Sequence, residues 1–469
     1  MRRFLHRLLP AIAVMVAVLL LAGCASTVVV GRASPGPREP TDVAARAFPI
    51  RGAGAGAIDQ IARNALSDLN AFWAQAYPRY FSGAFTPLAG GYFSVDPQHM
   101  APGTFPASGI GCAASPAPPA EVAGNAFYDP RCDSIAYDRS LLQELSTDYG
   151  RLLVPVVMAH EFAHAMQNRF GYAASGRSIQ DETQADCLAG SWTRWVKDGH
   201  ATHVSVRAPE LDDVVRGFLH LRDQVGSGDI HSAHGSWFDR VSAFYEGFDK
   251  GVASCRDDFG PGRLFTEAGF TTPSDAADQG NAPLPDILRW VGQTLPIYWT
   301  TAFQQRRLGA FRPPTITGFD RTGPDCRGFG GRDRDVGYCP STSTVYYDRT
   351  DLIGPAHDTI GDFAVAAGLS VPYAVAARSE AGLPVSGPVA TRSVVCLTGA
   401  YTHDWYAGTF HPTLDVTLSP GDVDEAVEFI LTYARDDRVF PDASTSGFEL
   451  IGAFRAGFLS GTAGCDLSR

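Results

Sequence analysis

The chain lacks a basic surplus: 38 lysines and arginines stand against 50 aspartates and glutamates. That balance removes the electrostatic case for a nucleic-acid partner, whose phosphates are met by cationic surfaces. Beyond its first segment it also lacks any apolar run of membrane-spanning length. What is present is the composition of a folded body. Of 469 residues, 45% are hydrophobic and 19% charged, which fits about two domains.

The first segment has a different character. Arg2, Arg3 and Arg7 precede an apolar stretch from Leu8 to Leu20, and Leu21-Ala22-Gly23-Cys24 then matches a bacterial lipobox. Residues 1–23 therefore read as a lipoprotein signal peptide whose removal exposes Cys24 for acylation. Its loss leaves 35 basic against 50 acidic residues, a net of −15. Residues 24–54, rich in Ala, Gly, Pro and Ser, read as a flexible tether. The mature protein is expected in the cell envelope, lipid-anchored to the outer face of the cytoplasmic membrane.

The densest chemistry lies in His160-Glu161-Phe162-Ala163-His164. On a helix, HExxH sets two imidazoles one turn apart on one face, as a tetrahedral Zn²⁺ needs from two ligands. Glu161 then lies where a carboxylate takes a proton from a water on the metal. The stretch from Leu152 to Asn168 is apolar before the motif and amphipathic through it, which predicts a buried helix. Downstream, Glu182 and Asp186 share one face of a second predicted helix, Ile179 to Val196. Glu182 is the natural third metal ligand. Asp186 is the natural acceptor for the second ring N–H of a ligating histidine. Ala185, Ala189 and Gly190 keep this helix slim for a close approach to the first. Cys187 is a rival ligand, better explained by cysteine pairing. Three protein ligands leave a fourth position open, the catalytic arrangement.

The runs HEFAHAMQN (160–168), DETQADCLAGSW (181–192) and HGSWFDRVSAFYEGFDKGVASC (234–255) carry a resemblance. Over about residues 55–258 the chain resembles the bacterial neutral zinc metallopeptidases of the YpfJ type, within the gluzincin group of zincins. The resemblance implies one Zn²⁺ per chain held by His160, His164 and Glu182, with Glu161 as general base. It also implies His234 as a candidate catalytic histidine that steadies the developing oxyanion, with a structural histidine at a helix N-terminus as the alternative. Ala165 stands where the family often has a further histidine.

Eight cysteines follow Cys24: Cys112, Cys132, Cys187 and Cys255, then Cys326, Cys339, Cys396 and Cys465. The second four trail the first by 214, 207, 209 and 210 residues, the mark of an internal duplication. Surrounding text agrees. Ala136-Tyr137-Asp138-Arg139 pairs with Tyr346-Tyr347-Asp348-Arg349, and Cys187-Leu188-Ala189-Gly190 with Cys396-Leu397-Thr398-Gly399. In an exported protein, four cysteines per unit read as two disulfides. Of the three pairings open to each unit, 112–132 with 187–255 and 326–339 with 396–465 are favoured. The second copy has lost the chemistry. His160-Glu161 falls on Val371-Pro372, His164 on Val375, Glu182 on Thr391, Asp186 on Val395 and His234 on Ser444.

These readings predict an α+β fold: a zincin-like domain at 55–258, a small antiparallel sheet on a layer of helices, and a degenerate, metal-free repeat at 283–469. Helices are expected at 58–76, 139–149, 152–170, 179–197, 210–225 and 236–251, and strands at 84–94 and 126–138. The stretch 126–138 is the candidate edge for aligning a substrate backbone. The expected function is zinc-dependent hydrolysis of peptide bonds in a peptide or protein substrate. The competing class is a non-catalytic envelope lipoprotein that serves as a binding or assembly module.

Overall fold

The computed structural model describes residues 39–100, 104–105, 109–112, 116–171, 178–228, 234–327, 329 and 331–467. The signal peptide and Cys24 lie outside these residues. From Pro40 to Arg469 the chain forms one compact unit.

The first half runs α1 (Ala57–Tyr80), β1 (Gly91–Val95), β2 (Ala126–Asp129), β3 (Ser134–Asp138), α2 (Arg139–Tyr149), α3 (Leu153–Phe170), α4 (Ser178–Lys197), α5 (Ala208–Leu221) and α6 (Trp237–Lys250). The second half runs α7 (Leu284–Arg306), β4 (Thr315–Phe319), β5 (Val336–Cys339), β6 (Thr344–Asp348), α8 (Asp362–Glu380), α9 (Pro388–Tyr406), α10 (Asp422–Tyr433) and α11 (Gly447–Ser460). The architecture is α+β, and the halves repeat one plan. Each sheet has three strands, ordered β1-β3-β2 in one half and β4-β6-β5 in the other.

The sheets correct the antiparallel expectation. β2 and β3 form an antiparallel hairpin, but β1 runs parallel to β3 on its other edge, in register from Gly91–Ser134 to Val95–Asp138. The stretch 126–138 is thus a hairpin, turned at Asp133, whose φ of 51° suits a short polar side chain. Parallel pairing needs a long connection, and here β2 lies in the chain between β1 and β3. β4 and β6 are parallel in the same way, and Ser343 repeats the left-handed turn at φ 50°.

Residues 40–54, read above as tether, are packed onto the body. Val43 and Ile50 are buried, Thr41 N–H donates to the Thr202 carbonyl, and Arg51 N–H donates to the Tyr92 carbonyl. These apolar anchors are spaced among Ala, Gly and Pro, so composition hides them.

The four disulfides join Cys112 to Cys132, Cys187 to Cys255, Cys326 to Cys339 and Cys396 to Cys465, the partners that the repeat spacing favours. Cys187 is thereby removed as a metal ligand. Gly190 serves a different contact from the one expected. It faces the Phe244 carbonyl of α6, while Gly247 of α6 faces the Cys187 carbonyl of α4, and a Cβ at either would strike backbone. Gly399 against Phe454 and Gly457 against Cys396 repeat this approach between α9 and α11. Glycine is needed there because only a missing side chain lets two helix backbones touch.

The halves also cap each other. Asp424 of α10 accepts from Trp237 and Phe238 N–H at the start of α6, at 3.0 and 2.9 Å. In return Asp212 of α5 accepts from Phe448 N–H at the start of α11, at 2.8 Å. Asp424 thus meets two orphan N–H groups and Asp212 one, and each lies at the positive end of a helix dipole. Arg222 and Arg435 then close on these two aspartates at 2.7 and 3.0 Å.

This region carries a pH dependence. Asp239, in the first turn of α6, is buried, and burial raises its carboxyl from 3.8 to about 6, helped by Asp424 and opposed by the N–H groups of Thr266 and Glu267. A raised folded-state value means that its share of stability is complete below about pH 4 and is lost as pH climbs through about 6. Between those limits wild type should lose on the order of 3 kcal/mol more than Asp239→Asn. Urea unfolding over a pH series checks this, and parallel profiles for the two proteins would refute it.

Candidate metal centre

α3 begins on an apolar run with Pro155 in its first turn, where a missing N–H costs nothing, and ends at Gly171 with φ 99°. It is buried almost throughout, and His160 and His164 project one turn apart from its one open face. α4 lies beside it and presents Glu182 and Asp186 from a single face.

Three side chains converge. His160 Nε2 lies 3.0 Å from His164 Nε2 and 3.2 Å from Glu182 Oε2, and His164 Nε2 lies 3.6 Å from Glu182 Oε1. A tetrahedral zinc with bonds of about 2.0–2.1 Å needs donors roughly 3.2–3.5 Å apart.

The second side of each ring fixes what these atoms are. Asp186 Oδ1 lies 2.8 Å from His160 Nδ1, and Asp186 is held as a carboxylate by two bonds from Arg240, Nε to Oδ2 at 2.8 Å and Nη2 to Oδ1 at 2.9 Å. His160 Nδ1 must therefore donate. Gln167 donates its amide hydrogens to the Asp181 carbonyl and to Gln184 Oε1, so its own oxygen faces His164 Nδ1 at 2.8 Å and accepts. In the neutral rings both Nε2 lone pairs then point at each other and at a carboxylate. Three acceptors meet with no donor between them, an arrangement that fits a cation.

The electrostatics agree. Burial alone would lower His160, but Asp186 and Glu182 outweigh it and raise it to about 10. His164 is likewise raised, mainly by Glu182 against burial. Burial would raise Glu182, yet the two imidazoles hold it well below the usual carboxylate range. A site that draws a proton this strongly is a site that draws positive charge. Glu161 behaves differently: burial dominates and raises it. Its Oε2 accepts from Tyr128 N–H on β2 at 2.9 Å.

These groups open on a cleft of about 960 Å³ that also receives Arg222, Asp223 and His234. His234 lies outside the three-donor cluster. It is half-exposed, and its Nδ1 sits 3.1 Å from Asp223 Oδ1, which raises it. Sequence reasoning missed Arg240, Gln167, Asp223 and the Tyr128 amide. Only Gln167 carries a local signal, at i+3 from His164. In the second half, Val371, Thr391 and Val395 are buried on α8 and α9, the counterparts of α3 and α4.

Fold and site define an α+β protein with a candidate mononuclear metal centre. Uncharacterized proteins of Mycobacterium tuberculosis and Mycobacterium bovis are 28% identical to it over 177 residues, which take in 32% of this chain and 59% of theirs. The chain thus spans about 59% of the length of these curated relatives. No protein-family model matches it. No solved structure matches it either.

Proposed function

We propose that the chain is a zinc-dependent peptidase of the zincin type, exported and lipid-anchored at Cys24 outside the cytoplasmic membrane. The observation that carries this reading is the convergence of His160 Nε2, His164 Nε2 and Glu182 with their proton-bearing sides turned away. A zinc ion held there supplies Lewis acidity, which acidifies a water and polarises a carbonyl. Asp186 and Gln167 keep both rings in the ligating tautomer. Glu161, carried on the same helix and facing the cleft, accepts the proton of the attacking water and returns it to the leaving amine. Burial weakens its charged form, which brings it towards the acidity that such a shuttle needs. His234, held by Asp223, faces the cleft as a donor for the oxyanion. β2 is an edge strand, and residues 125–128 line the cleft, so an extended peptide can add to it by backbone pairing. Disulfides in both halves fit an exported protein.

The test is metal content of the purified chain beside His164→Ala, followed by a peptide-library cleavage screen. About one zinc per chain, absent from the variant, and cleavage by wild type alone are expected. No zinc in either protein after metal is resupplied would sink the proposal.

A further inference from the structure

A second group of buried acids lies in the half that lacks the histidine cluster. Asp362 opens α8, Asp422 opens α10, and Glu425 stands one turn further along α10. They are 4%, 4% and 9% exposed, and one oxygen from each lies within 4.8 Å of the others. Capping accounts for one oxygen of each. Asp362 Oδ2 accepts from Ala282 N–H at 3.0 Å, Asp422 Oδ2 from Ser419 N–H at 2.8 Å, and Glu425 Oε2 from Phe363 N–H at 2.8 Å. It does not account for Asp362 Oδ1 and Asp422 Oδ1, which are buried and receive a hydrogen from no donor group. The Asp362 carboxyl is within hydrogen-bond reach of the Glu425 carboxyl, so two acceptors face each other there.

No arginine, lysine or histidine pairs with these three acids among the described residues. His357, which acts on Asp362 through charge, has Nδ1 3.2 Å from Asp358 and Nε2 3.0 Å from the Ala282 carbonyl. Arg222 is taken by Asp424. Buried carboxylates with unmet oxygens are costly unless a cation or protons complete them. Gly361, at φ 148°, makes room for the Glu425 carboxyl, which a Cβ there would overlap. Beside the acids a cavity of about 320 Å³, lined by Asp275, Asn281 and Thr417, leaves space for water ligands. The first half has no such cluster of three acids at the matching place. At the offsets that set His160 on Val371 and Asp212 on Asp424, the counterparts of Asp362, Asp422 and Glu425 are Arg151, Glu210 and Asp213. In the first half Arg151 Nε pairs with Glu210 at 2.9 Å, and the second half puts a third acid where that cation stands.

We propose that Asp362, Asp422 and Glu425 form a second metal site that takes a hard divalent cation of the calcium class. All donors are oxygens, with no imidazole or thiolate, which sets it apart from the histidine centre. Calcium suits it because calcium accepts an irregular oxygen set completed by waters, where magnesium demands near-ideal octahedral geometry. A cation there braces the segment entering α7 against the starts of α8 and α10.

The experiment titrates calcium into the chelator-treated full chain at neutral pH, with calorimetric stoichiometry and melting temperature as readouts. Wild type should bind one calcium per chain at this site and melt several degrees higher with it. Asp422→Asn and Glu425→Gln should each lose at least about tenfold in calcium affinity, in keeping with the loss of one charged ligand. No calcium response in wild type overturns the site whatever the variants do, and leaves the three carboxyls sharing protons. So does calcium binding that survives in the folded variants, or that His164→Ala abolishes.

Discussion

Glu161→Gln should keep its zinc and lose activity by on the order of 10³-fold in kcat against any peptide that wild type cleaves. The substitution is close to isosteric. Its amide oxygen can still accept from the Tyr128 amide, the bond that Glu161 Oε2 makes at 2.9 Å, so the junction between α3 and β2 survives. Neither His160 nor His164 is bound to Glu161, so the rings keep Asp186 and Gln167 as their partners. What is lost is a group that can take and return a proton. KM should change little, because in the proposed mechanism Glu161 contributes to the barrier rather than to peptide binding. Zinc content and single-turnover cleavage separate the two effects. A variant that cleaves at the wild-type rate would remove Glu161 from the chemistry. One that loses zinc with activity would make it a structural residue.

Legibility followed the range of the interaction. The pairs His160/His164 and Glu182/Asp186 could be read because an i, i+4 spacing places two side chains on one helix face whatever else the fold does. The duplication could be read because cysteines and glycines mark places where backbone or sulfur must meet, and Gly190, Gly247, Gly399 and Gly457 all sit at such contacts. The direction of β1 could not. Alternation of side chains is the same in parallel and antiparallel strands, and only the tertiary pairing of β1 with β3 decides it. Arg240 could not either, since its bond to Asp186 spans 54 residues and depends on how closely α4 and α6 pack. The error over Gly190 has the same root. A small residue announces a close approach but not the partner, and here the partner was α6 rather than α3. That Val371, Val375 and Thr391 stand where the first half has His160, His164 and Glu182 was visible residue by residue. The acids that gather at the starts of α8 and α10 come from positions 60 residues apart and share no local pattern.

Arg240→Ala should be the most damaging single change outside the donor set. The guanidinium is buried and makes two bonds to Asp186, and its plane lies over Phe218 at 5.4 Å. Removing it strands a buried carboxylate, whose charged form Arg240 stabilises against burial. Breaking a buried pair from one side costs about 3–5 kcal/mol. Asp186 would then meet only His160, and the ring would lose the fixed partner that sets its tautomer. Zinc affinity should fall by about 10–100-fold, as for the loss of an outer partner of a ligating histidine. The double change Arg240→Met with Asp186→Leu separates the two roles. With no charge left unpaired, it should recover most of the stability, since an apolar pair can replace a buried ion pair. It should not recover zinc affinity, because His160 Nδ1 still lacks its acceptor. Urea unfolding and zinc competition with a chromophoric chelator measure both. If Arg240→Ala binds zinc as wild type does, the chain from Arg240 through Asp186 to His160 is scaffold alone.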